Sequence, residues 1–184
     1  MVNKLFKRTC FLRPFFSFIL IVTISYTTSA QKISKYFTSS MQDDGALYFI
    51  EPKQEFKNND EHCKLFYDLT YLTTNDSITL NFTYSDKEIR KIESLSFIQG
   101  NVNISTHTKK LFVESENDIW IHRYSAKFLF NDLDFLFQQR KKASILIHHC
   151  GKSVKLEIEK RKWNKQSELL TKILLMIKAN IEDR

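Results

Sequence analysis

A chain of 184 residues with 42% hydrophobic side chains has room for one domain with a core of its own. Its three glycines, at 45, 100 and 151, lie too far apart for a phosphate-cradling loop, a dinucleotide fingerprint or the nucleophile elbow of serine hydrolases. The formal charge of +7 falls to +3 once Lys4, Lys7, Arg8 and Arg13 are set aside with the first thirty residues, so the basic composition argues little for nucleic acid.

Those thirty residues read as a secretory signal peptide. The four basic residues precede an uncharged apolar run from Pro14 to Tyr26, and the small residues Thr28, Ser29 and Ala30 stand before a cut ahead of Gln31. The run is too short to favour a spanning helix, and no transmembrane span is expected in the mature chain. This predicts a secreted, periplasmic or cell-envelope protein. Residues 31–44 are polar and weakly patterned and are expected to be a flexible lead-in, leaving residues 45–184 as one β-rich domain.

Ala46–Ile50 predicts a short strand that Pro52 either holds to an edge or ends. The clearest pair follows. Leu65, Tyr67, Leu69 and Tyr71 alternate with polar neighbours, as do Ile78, Leu80, Phe82 and Tyr84, and Thr73-Thr74-Asn75-Asp76 supplies a turn between them. Short strands are expected at 92–98, 102–105 and 111–114, and a longer one at 119–130. Asn131 reads as a helix N-cap, with Asp132 and Asp134 in the first turn, predicting a short helix over about 132–142.

Ser144–Trp163 reads as an antiparallel ribbon about a Gly151-Lys152 turn, with Ile145, Ile147, His149, Val154, Leu156 and Ile158 on one face. A C-terminal amphipathic helix is expected over about 166–181, with Leu170, Ile173, Leu174, Ile177 and Ile181 as its apolar stripe. Together these predict a mainly β fold, an antiparallel β-sandwich or curled sheet with two late helices.

The candidate chemistry is sparse. Adjacent strand residues point to opposite faces, so His148 and His149 do not chelate together. Glu114, Glu116 and Asp118 lack the glycine that turns a calcium loop. No metal, cofactor or catalytic set is assigned. Cys63 and Cys150 survive processing, and export makes them a candidate disulfide.

Charge is uneven: residues 31–137 sum to −4 and residues 138–184 to +7. Lys152, Lys160, Arg161, Lys162, Trp163 and Lys165 form the candidate partner-binding set, because an aromatic among cations suits a lipid interface or an anionic polymer. The expectation is an exported, non-catalytic binding or scaffolding domain whose partner is a protein, a glycan or an anionic envelope component. A small exported hydrolase using His122 or His149 with a carboxylate is the alternative.

Overall fold

The computed structural model describes residues 33–139 and 141–182. The expected signal peptide and Arg140, within the first expected helix, lie outside the described residues. The chain divides into two units after Lys35, and every element below belongs to the second. In chain order these are β1 (Phe37–Gln42), β2 (Gly45–Ile50), β3 (Phe56–Asn58), β4 (Cys63–Leu72), β5 (Ser77–Asp86), β6 (Ile92–Gln99), β7 (Val102–Glu116) and β8 (Ile119–Leu129). After them come α1 (Phe130–Gln138), β9 (Ser144–His149), β10 (Lys152–Glu157) and α2 (Lys160–Glu182).

The period-two stretches form the expected hairpin, with β4 and β5 paired from Lys64↔Ser85 to Thr70↔Thr79. The fold is mainly β, but it is a barrel and not a sandwich. β4 holds β5 along one edge and β3 along the other, and β3 joins β10, so eight strands close in the order β4, β5, β8, β7, β6, β9, β10, β3. Alternation specifies which side of a strand is buried, not whether the sheet meets itself. The closing contact is slight: β10 and β3 share the register pair Glu157↔Lys57, and the Asn58 side-chain amide donates to the Lys155 carbonyl at 3.2 Å.

Residues 37–42, expected within the flexible lead-in, instead form β1, paired with β2 from Phe37↔Ile50 to Gln42↔Gly45. This strand is nearly all exposed and lacks an apolar face, so pattern alone cannot reveal it. The ribbon turns at Cys150-Gly151 (φ +46° and +72°), one residue earlier than expected, as in a type I′ turn. Val154 therefore faces Ile147 and Leu156 faces Ile145. The slip is even, so each side chain keeps its expected face.

Tyr67, Leu69, Leu80, Phe82, Ile147, Leu156 and Ile158, all expected inside, are buried. Both helices pack against this inward face. α1 starts two residues before the expected bound and ends at Gln138, short of the expected 142, with Phe130 tilted onto Tyr71 at 4.8 Å between ring centroids. Its N-cap position is Leu129 and carries no side-chain cap, so Asn131 does not serve as one. α2 starts at Lys160 and not near 166. Leu170, Ile173, Leu174 and Ile177 are buried as expected, whereas Ile181 is exposed. The Gln166 amide donates to the Tyr67 hydroxyl, and the Asn180 amide to the Tyr48 hydroxyl at 3.3 Å. Lys178 pairs with buried Asp134 of α1, which ties the two helices together.

Candidate functional site

Two places concentrate polar side chains. The first is the start of α2. Lys160, Arg161, Lys162 and Lys165 are exposed on its first two turns, and the first turn contains no acid. A helix N-terminus already carries partial positive charge, so these cations add to the dipole instead of offsetting it. A groove of about 810 Å³ opens alongside, between the β3–β4 connection, β10 and α2. Lys57, Lys142, Lys155, Lys160 and Lys162 line it together with Glu55, Asp60, Glu157 and Glu159. Glu157 is engaged: bonds from Lys142 (2.6 Å) and Lys155 (2.7 Å) push its carboxyl down to about 2. Arg161, Lys162 and Lys165 form no salt bridge with any described residue.

The expected binding set is only partly brought together. Trp163 is not on this surface. It is fully buried, with Phe56 and Phe137 each at 6.0 Å. The stretch is helical, not extended, and Trp163 begins the buried stripe that continues through Gln166, Ser167 and Leu170. Lys152 is exposed but stands at the far end of β10 from α2. Lys57, Lys142 and Lys155 join the groove instead.

The second place closes one end of the barrel and centres on Arg90, in the connection between β5 and β6. The inward positions of β5 run Ile78, Leu80, Phe82, Tyr84 and then Asp86, all buried. An acid at the end of such a series calls for a counter-charge. Arg90 provides it through Nε, while Tyr84 donates its hydroxyl to Asp86 at 2.7 Å and the Glu88 amide donates at 3.1 Å. Burial alone would raise the Asp86 carboxyl, but these bonds hold it below its ordinary value.

Arg90 also joins two buried histidines. Its Nη1 donates to His149 Nε2 at 2.8 Å, and its backbone N–H donates to His122 Nε2 at 2.8 Å. His122 Nδ1 in turn donates to the Tyr84 carbonyl at 3.2 Å. Burial lowers both histidines, and the Arg90 charge lowers His149 further. Neither ring bonds a carboxylate of a described residue, the arrangement that a histidine–carboxylate hydrolase requires. His148 faces the other way, between the hydroxyls of Ser96 at 3.1 Å and Ser153 at 2.8 Å. Among the described residues no cluster suits a metal ion, and no helix is long and apolar enough to cross a membrane.

Cys63 and Cys150 are unbridged. Cys63 is buried, donates to the Glu61 carbonyl at 3.3 Å, and is pushed up to about 11 by that burial. Cys150 is exposed on its turn. A thiol-specific reagent is therefore expected to modify Cys150 in the native protein and Cys63 only after unfolding, because the thiolate is the reacting form. Peptide mass mapping before and after denaturation reads this out, and rapid native labelling of Cys63 would contradict it.

Comparison with protein-family models, with curated proteins and with solved structures finds no match.

Proposed function

We propose that this protein is an exported, non-catalytic β-barrel domain of the cell envelope or exterior, holding an anionic partner through the exposed start of α2. Export rests on the composition of residues 1–30. The observation that carries the binding role is the stacking of four exposed basic residues on a helix N-terminus, beside a groove in which Lys142 and Lys155 engage Glu157, one of its four acids. The non-catalytic reading is supported at the other end of the barrel. There His122, His149 and Asp86 are occupied by Arg90, Tyr84 and backbone groups.

The chemical class is a polyanion, met by long cations at an open surface. Binding to heparin or to anionic vesicles is expected at low salt and should weaken steeply as salt screens the exposed charges. Replacing Lys160, Arg161 and Lys162 with serine is expected to weaken binding strongly. Each exposed change should move stability by no more than about 0.5 kcal/mol. Isothermal titration alongside thermal melts measures both. Wild-type protein that binds neither probe at low salt would refute the proposal.

A further inference from the structure

β7 changes partner along its length. It pairs with β6 from Val102 to His107 and with β8 from Thr108 to Glu116. Among the described residues no strand lies along the other edge of Lys109–Glu116. Unpaired backbone N–H and C=O groups on such an edge are a template for another strand. The edge is held from behind, because β8 pairs in turn with β5 as far as Asp86↔Trp120. A turn at Asn117-Asp118 (φ +51° and +63°) closes the hairpin. Leu111 and Phe112 stand open on it, 48% and 47% exposed.

The order of side chains selects the occupant. The edge reads Lys109-Lys110-Leu111-Phe112-Val113-Glu114-Ser115-Glu116, basic at one end, apolar in the middle and acidic at the other. Antiparallel pairing with an identical edge about Phe112 sets Lys110 opposite Glu114 twice, Leu111 opposite Val113 twice, and Phe112 against its own copy. Opposite charges facing across strands stabilise a pair and like charges destabilise it. Parallel self-pairing aligns like charges, and a uniformly charged peptide complements only half of the edge.

We propose that the Lys109–Glu116 edge of β7 pairs antiparallel with the same edge of a second copy, giving a twofold dimer with one sheet running through both barrels. The interface is isologous and uses the same edge of each copy, so this contact closes at two. Charged side chains and a bulge, here between Lys110 and Phe112, commonly guard edges against unplanned pairing. On this edge the charges restrict the partner to one presenting carboxylates opposite the lysines, which the same strand reversed does.

Sedimentation velocity of the full chain over a concentration series tests this. Wild type is expected to shift from monomer to dimer as concentration rises. Lys110→Glu and Glu114→Lys should each raise the dissociation constant at least about tenfold by facing like charges at both ends of the pairing. The double variant should recover wild-type dimerisation, and an equimolar mixture of the two single variants should form heterodimers. Thermal melts establish that each variant is folded. Should a charge variant fail to fold, Phe112→Lys, which faces two lysines at the axis, is expected to give monomer. Wild type that remains monomeric, a dimer indifferent to the charge swaps, or a double variant that does not recover overturns the proposal.

Discussion

Truncating Trp163 to alanine is expected to cost about 3–5 kcal/mol, the range for removing a large aromatic from a closed core. The ring has no exposed surface and stands between Phe56 of β3 and Phe137 of α1, so its loss opens a cavity where both helices meet the sheet. Trp163→Phe should cost much less, below about 1.5 kcal/mol, because most of the volume is kept. The indole N–H that it removes has no hydrogen-bond partner among the described residues. Denaturant midpoints measure both variants. The folded Trp163→Phe protein should keep its affinity for polyanions, since Trp163 supports the basic surface from beneath and does not present itself there.

Arg90→Leu is expected to cost about 3–5 kcal/mol, because it leaves Asp86, 3% exposed, as a buried charge without its cation. Combining it with Asp86→Asn should cost less than the two changes separately, since the second removes the charge that the first strands. The same cluster makes stability depend on pH. His122 and His149 titrate below the ordinary value of 6.5 when folded, so the folded state binds fewer protons than the unfolded one. Their contribution is fully present above about 6.5 and is lost as pH falls through that value toward the folded values.

Either protonation turns an acceptor of an Arg90 N–H into a donor, against a setting that includes Asp86 and Glu61 as well as Arg90 and Lys152. Melting temperatures from pH 8 down to pH 5 should therefore fall more steeply in wild type than in a His122→Phe, His149→Phe double variant that folds. Equal slopes would show that these rings do not report the acid transition.

Much of the barrel was legible because its inner and outer faces differ. The alternation of Leu65 to Tyr71 and of Ile78 to Tyr84 names both the strands and the buried side, and the structure keeps both. The sequence pattern shows β7 as two short strands, at 102–105 and 111–114, because its second half is solvated on both faces and hydrophobic alternation is lost there. The start of α2 was obscured by the ribbon before it. Counting helical spacing backward from Leu170 through Ser167 and Gln166 reaches Trp163, and that signal would have moved Trp163 from the surface to the core.

At the barrel end, the sequence places His149 on the apolar face of the ribbon, but it ends the expected inward series of β5 at Tyr84, one step short of Asp86. Arg90 is not legible, because it lies in a short connection with no period and is placed by the three residues that it satisfies.

The thin join between β3 and β10 sets the order in which the chain can assemble. β4 with β5, and β9 with β10, are neighbours in sequence, and each closes over a short turn at small entropic cost. Lys57 meets Glu157 only across most of the domain's length, and the reward on arrival is one register pair and the Asn58 side-chain bond to Lys155. Contacts so distant in sequence form late, after local pairings have shortened the effective loop. The ring is therefore expected to stay an open, curling sheet for most of its folding, with α2, whose first turn follows closely on the closing strand, seating Trp163 against Phe56 as the circle completes.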